Sequence, residues 1–181
     1  MDPMDYKADT LRELRRLRRL ADAAASQLDD EQFFAAPAKD SNSVAVIVKH
    51  MAGNMRSRWR DFLTSDGEKP DRNRDSEFEI SQTDTRDSIS ARWEKGWLTA
   101  LETIASLVVS DFHSTVYIRR EPHTVLQAIS RELTHYAYHV GQIVFAAKQT
   151  RGTEWETLSV PIGKSEEFNA APERYIDKRE V

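Results

Sequence analysis

Four long segments of this chain carry apolar residues at intervals of three and four, the spacing that places side chains on one face of an α-helix. In the first segment, Leu11, Leu14 and Leu17 follow Asp9 and Thr10, which are typical residues for a helix N-cap. Helices of this length bury their apolar faces against one another, so the sequence predicts an all-α fold, a four-helix bundle. The predicted helices cover residues 10–28, 43–64, 85–108 and 123–149.

The connections between these helices differ in length and character. The second and third helices are separated by the polar stretch TSDGEKPDRNRDSEFEISQTD, which is long enough to form a crossover from one end of the bundle to the other. The stretch STVYIRRE alternates in polarity and is rich in β-forming residues, which predicts a short β element before the fourth helix. We therefore treat residues 1–181 as a single domain whose last residues are solvated. Aromatic and apolar residues after the fourth helix predict a C-terminal tail packed on the bundle: Trp155, Leu158, Val160 and Phe168.

Charge and composition argue against several classes of function. The net charge is −4 over 181 residues, whereas nucleic-acid partners are typically bound by domains with a basic surplus. No apolar run approaches the roughly 18 residues needed to cross a membrane, and the acidic N-terminus does not fit a secretory signal, so we expect a cytoplasmic protein without a membrane partner. The chain has no cysteine. Any metal must then be held by nitrogen and oxygen ligands, and any reacting thiol must arrive with a substrate.

The stretch HYAYHVGQIV places two histidines, His135 and His139, four residues apart in the fourth predicted helix. One helical turn separates them, so both imidazoles can reach a single metal ion. Glu132 and Gln142 continue the same edge of the apolar face, which makes this edge polar over several turns. The pair can also be only a surface or capping feature, and its spacing does not decide between the two interpretations.

The second predicted helix offers a third ligand. His50 lies at the border of its apolar face, beside Asn54, and the residues around it are small. Three histidines that leave a coordination position to water form a metal site of the catalytic type. A single border histidine is more often only hydrogen-bonded, so this alternative stays open. His113 and His123 lie in or beside the β element, outside these two helix faces.

Two familiar metal motifs do not fit the chain. A zincin needs a glutamate directly after the first histidine of the pair, and Tyr136 stands there. A di-iron carboxylate bundle needs a second Glu-x-x-His motif, but the residue three positions before His50 is Ile47. A mononuclear three-histidine site is the better interpretation, with Glu132 orienting an imidazole and Gln142 hydrogen-bonding a bound water or substrate.

Three stretches of the chain resemble an uncharacterised bacterial branch of the DinB-like superfamily of metal-binding four-helix bundles. They are KHMAGNMRSRWRDFLTSDGEKPDRNRDSEF, HYAYHVGQIVFAAK and W-x-x-LSVPIGKSEEFN, and with the helices between them they cover most of the chain. The resemblance implies a metal triad of His50, His135 and His139. Related members of the superfamily are thiol S-transferases and isomerases that use low-molecular-weight thiols such as bacillithiol or mycothiol, which implies a small-molecule substrate.

These observations lead to one functional hypothesis and one rival. We expect a divalent metal ion (zinc, nickel or iron) that supports either transfer of a low-molecular-weight thiol or hydrolysis, acting on a small molecule. The rival is a non-catalytic, metal-containing binding or stress-response protein.

Two further features carry predictions of their own. Trp93 and Trp97 lie one turn apart in the third predicted helix, where they are either core residues or dimer contacts. We expect a homodimer. In the crossover, Arg72 and Arg74 either pair with the neighbouring carboxylates of RNRDSEFE or line a pocket for anions.

Overall fold

The computed structural model describes residues 2–170 of the chain. Its main elements confirm the prediction of an all-α fold with a small antiparallel β element before the last long helix. Residues 171–181, predicted to be solvated, lie outside the described residues. The elements are α1 (Pro3–Ser26), α2 (Asp30–Phe34), α3 (Val44–Trp59), α4 (Arg86–Ser106), β1 (Thr115–Ile118), β2 (Glu121–Thr124), α5 (Val125–Arg151) and α6 (Ser165–Ala170).

Capping side chains decide where the long helices begin. Asp2 accepts a hydrogen bond from the backbone N–H of Met4 at 2.7 Å, and Pro3 occupies the first helical position. α1 therefore begins well before residue 10. The predicted start was wrong because an earlier N-cap, Asp2, is available. α4 and α5 begin close to their predicted starts, after the N-cap residues Thr85 and Thr124.

The second long helix ends earlier than its apolar pattern predicts. α3 stops at Trp59, because Arg60 takes an extended conformation (ψ 126°) and Asp61 a left-handed one (φ 50°). Phe62, predicted to belong to this helix, lies outside it but stays buried against Trp59, with ring centroids 4.9 Å apart. The predicted end at Thr64 is therefore wrong, and the crossover begins at Arg60.

The crossover joins two helices that run in the same direction. Met55 of α3 lies against Gly96 of α4, and the hydroxyl of Thr103 donates to the Trp59 carbonyl at 3.2 Å, so residue numbers rise together along the two helices. Parallel neighbours cannot be joined by a tight turn, because the chain must return along the whole length of the first helix. This geometry explains why the connection between α3 and α4 is long.

The predicted aromatic residues of α4 are part of the core. Trp93 and Trp97 are 5% and 0% exposed, and their rings meet edge to face at 5.4 Å. The indole N–H of Trp93 donates to Asp22 of α1 at 2.7 Å. Because both side chains are buried inside one chain, they offer no contact to a second copy, and the homodimer stays a prediction.

The segment after α5 packs back on the bundle. Trp155 and Leu158 contact the core, and the side chain of Gln27 bonds both backbone groups of Glu156, at 2.9 and 2.8 Å. Within residues 2–170, no helix combines the length and the apolar character that crossing a membrane requires.

Candidate metal centre

Three histidine side chains come together between α3 and α5. The two helices run in opposite directions, which brings His50 of α3 beside His135 and His139 of α5. The Nε2 atoms of His135 and His139 are 3.0 Å apart, and the ring centroid of His50 lies 5.6 Å and 4.8 Å from theirs. One nitrogen from each imidazole lies within 4.8 Å of the other two. These three histidines could therefore hold a metal ion.

Two of the imidazoles have a close oxygen partner at Nδ1. The Nδ1 atom of His50 lies 2.8 Å from Oε2 of Glu77, and that of His139 lies 2.7 Å from Oε1 of Gln142. An oxygen acceptor at this position holds the imidazole proton on Nδ1. The Nε2 lone pair of each ring is then free for a metal ion, as in the carboxylate–histidine–metal arrangements of known sites.

The Glu77 carboxylate is itself held in place. Arg72 donates to Oε1 at 2.8 Å and to Oε2 at 2.9 Å, and the ring of Phe78 lies 4.7 Å from the ring of His50. Burial alone would raise the pKa of Glu77, but hydrogen bonds from Arg72 and His50 lower it below its ordinary value, so the carboxylate stays ionised. Gly53 makes room for this arrangement, because a Cβ atom there would overlap Oε1 of Glu77.

Glu132 supplies an oxygen to the third imidazole. It is buried, its Oε1 accepts a hydrogen bond from Arg58 at 3.1 Å, and its Oε2 lies 3.5 Å from Nδ1 of His135. This Oε2 atom accepts no hydrogen bond from residues 2–170. Burial would raise the pKa of Glu132, but His135 and Arg58 lower it. A buried acceptor without a donor fits an imidazole that turns its Nε2 toward a metal ion.

The imidazole of His139 is neutral, and the cluster is open on one side. Burial and the proximity of His135 lower the pKa of His139 to about 4, so its ring is unprotonated at neutral pH. Metals bind the unprotonated form. His50 is buried, whereas the side chain of His135 is 27% exposed. Water or a small molecule can therefore approach from the α5 side.

The donor set suits one divalent ion. Neutral imidazoles bind zinc, nickel and iron alike, so the residues do not select among the three metals. Within residues 2–170, the cluster contains no fourth histidine, cysteine or carboxylate. Three protein ligands leave at least one position of a tetrahedral ion to water or substrate.

Other residues singled out from the sequence have different contacts. The amide oxygen of Gln142 contacts the His139 imidazole, and its predicted hydrogen bond to a bound water or substrate stays a prediction. The amide oxygen of Asn54 accepts a hydrogen bond from the Tyr136 hydroxyl at 3.0 Å, so this atom takes part in a core contact, and a role beside the metal stays a prediction. His113 and His123 do not belong to the histidine cluster.

Sequence reasoning missed two supporting residues of the site. Glu77 lies in the crossover. For Arg72, pairing with a neighbouring carboxylate was one of two predicted alternatives, and the structure shows its pairing with Glu77. Its contact with His50 had no signal in the sequence. Arg58 did have one, because His50, Asn54 and Arg58 follow one another at four-residue intervals and form one polar stripe of α3.

The model of the family described as "Protein of unknown function (DUF1572)" matches residues 3–164. This range covers most of the chain, and the protein belongs to this family. No curated protein and no solved structure matches it. The DinB-like relationship stays a prediction.

Proposed function

We propose that this member of the DUF1572 family binds one divalent metal ion through His50, His135 and His139 and uses it to act on a small molecule. The observation that carries the proposal is the meeting of three imidazoles from two helices, each with an oxygen behind its Nδ1 atom. A surface or capping pair on one helix would need neither a third histidine nor buried carboxylates behind the rings.

The chain's own residues would prepare the site for the ion and its substrate. Glu77 and Gln142 orient the imidazoles of His50 and His139 and hold their protons on Nδ1, and Glu132 lies behind Nδ1 of His135 at 3.5 Å. When bound, a divalent ion would lower the pKa of a water or thiol in contact with it toward neutrality. The partly exposed side of His135 leaves room for that molecule to reach the cluster.

Thiol transfer is the favoured reaction. The chain has no cysteine, so the sulfur must come from a co-substrate. The resemblance to the DinB-like superfamily supports a low-molecular-weight thiol such as bacillithiol or mycothiol. In such a transfer the thiol gives up its proton and its sulfur bonds to an electrophilic carbon, while a halide leaves or an epoxide C–O bond opens. Hydrolysis would use water in place of the thiol.

A non-catalytic metal protein is the second candidate. The structure has a cavity of about 480 Å³ that is lined by Glu77 but by none of the three histidines. Enzymes that act on small molecules generally place the reacting group inside such a pocket. The separation of cavity and histidines favours a binding or stress-response protein that uses its metal for structure.

Elemental analysis tests metal binding first. Protein purified without a polyhistidine tag is expected to carry about one equivalent of zinc, nickel or iron, as a three-histidine site requires. His135→Ala should lose most of it, because two imidazoles remain. His113→Ala removes an exposed histidine outside the cluster and should keep the metal. A wild-type chain that takes up no metal would overturn the proposal.

An activity screen then separates the two candidates. The protein is loaded in turn with zinc, nickel and iron and assayed with glutathione, bacillithiol, mycothiol and coenzyme A against epoxides, quinones and alkyl halides. Thiol transfer predicts a rate above the His135→Ala background for at least one pair. A metal-loaded protein with no such rate would leave the non-catalytic candidate as the better one.

A further inference from the structure

The cavity between α3, α4 and the crossover carries a large surplus of positive charge. Seven lysine or arginine side chains line it, against the two carboxylates Asp71 and Glu77, although the whole chain has a net charge of −4. Two of the seven, Lys49 and Arg92, share a third carboxylate, Asp84, so the cations still outnumber the carboxylates. Glu77 forms a wall of this cavity and also bonds His50, so the cavity lies next to the histidine cluster without including it.

Arginines on the crossover side of the cavity compete for few carboxylates. Arg56 and Arg60 both bond Asp71, at 2.7 Å and 2.6 Å. Arg72 bonds Glu77 through two nitrogens. Asp71 carries one negative charge and therefore offsets only one of the two guanidinium charges of Arg56 and Arg60. The second guanidinium charge at the cavity has no matching carboxylate among the residues that the structure describes.

Of the three lysines that line the cavity, Lys49 pairs with Asp84 at 2.8 Å, but the other two have no carboxylate partner in the described part of the chain. Lys69 and Lys95 make no ion pair within residues 2–170. Lys69 is 6% exposed, and its Nζ atom donates to the backbone carbonyl of Asp66 at 2.5 Å. Burial and then repulsion by Arg60 lower the pKa of Lys69. A buried ammonium group without a carboxylate is costly, and a bound anion would relieve that cost.

We propose that this cavity binds a compact small-molecule oxyanion that carries two or more negative charges on phosphate or carboxylate groups. The guanidinium forks of Arg56 and Arg60 match the oxygens of such groups, and the ammonium groups of Lys69 and Lys95 supply point charges. A volume of about 480 Å³ lies within the range of small-molecule sites. Because none of the three histidines lines the cavity, the site does not depend on the metal.

Calorimetric titration of the full chain at low ionic strength tests this site. The probes are orthophosphate, pyrophosphate and citrate, which separate phosphate from carboxylate chemistry. We expect saturable binding of one anion per chain by at least one probe. Lys95→Gln and Arg56→Gln each remove an exposed cation at the cavity and should weaken binding about tenfold, the effect of losing a hydrogen bond to a charged group.

Two controls make the result specific. Lys148→Gln removes the same charge from an exposed position of α5 that does not line the cavity, and it should leave the affinity unchanged. His135→Ala should also leave it unchanged. The proposal is overturned if no probe binds at millimolar concentration, or if Lys148→Gln weakens binding as much as Lys95→Gln. Loss of binding in His135→Ala would place the anion at the histidine cluster and overturn it as well.

Discussion

Oε2 of Glu77 lies 2.8 Å from Nδ1 of His50, although 27 positions separate the two residues in the chain. The contact ties the crossover between α3 and α4 to the candidate metal centre. It also leaves the opposite nitrogen of His50 available to a metal ion, which is the arrangement that a metal ligand requires. The crossover is therefore more than a connection between parallel helices.

Glu77→Gln is expected to weaken metal binding about 10- to 100-fold, since partners of ligating histidines have effects of that size. The variant also removes the carboxylate that Arg72 bonds through two nitrogens and leaves it only the longer contact to Glu68 at 3.5 Å, so the free energy of unfolding should fall as well. Competition with a chromophoric chelator measures the affinity, at a temperature where circular dichroism shows a folded chain. Glu79→Gln alters a nearby exposed glutamate and serves as the control. Equal affinities for wild type and Glu77→Gln would contradict the assigned role.

Gly53→Ala should lower metal affinity severalfold by displacing the Glu77 carboxylate, whose Oε1 atom occupies the space of the new methyl group. Alanine is favoured over glycine within a helix by about 1 kcal/mol, so the free energy of unfolding should fall little or even rise. Gly141→Ala is the matched control, because open space surrounds its Cβ position on α5. That control should gain stability and keep the metal affinity. Full affinity in Gly53→Ala would show that Glu77 does not depend on this close approach.

Asp84 should make the protein sensitive to acid. Burial would raise the pKa of Asp84, but hydrogen bonds from Lys49 and Arg92 hold it well below its usual range. The stabilisation is therefore complete above the unfolded-state pKa of about 3.9 and is lost as the pH falls below it. Asp84→Asn should be less stable than wild type at neutral pH and should lose less stability on acidification.

Urea unfolding midpoints measured between neutral and acidic pH test this expectation. Asp40→Asn is the control, because Asp40 is exposed in a loop and asparagine tolerates its positive φ angle of 64°. Parallel pH profiles for Asp84→Asn and wild type would show that this carboxylate does not govern acid stability.

Tyr136→Phe should destabilise the core while leaving metal stoichiometry unchanged. The Tyr136 hydroxyl accepts a hydrogen bond from the indole of Trp59 at 2.8 Å and donates to Asn54 at 3.0 Å. Without the hydroxyl, two buried polar groups lose their partner, which costs about 1–3 kcal/mol. Urea denaturation measures the change, and Tyr138→Phe, at a site that is 64% exposed, should show little effect. A loss of metal in Tyr136→Phe would place Tyr136 and Asn54 nearer to the ligands than the hydrogen bonds indicate.

The helical architecture could be predicted because it is encoded by local spacing. Apolar residues at intervals of three and four predict a helix before any partner is known, and the four long helices are where this pattern placed them. The errors lie at the ends. α1 begins earlier because Asp2 and Pro3 form a cap and first turn, and α3 ends earlier because Arg60 and Asp61 leave the helical conformation.

The sequence by itself also determined the juxtaposition of His135 and His139, since four-residue spacing within one helix places two side chains a turn apart. Only the tertiary structure decided the rest of the site. Glu77 and His50 are 27 positions apart, and their contact depends on the path of the crossover. Arg58 and Glu132 are 74 positions apart, and their contact depends on the antiparallel packing of α3 on α5. Spacing along a chain sets the geometry within one helix, but the distance between two helices depends on how their faces pack. The imidazole partners and the positively charged cavity could therefore be seen only in the folded chain.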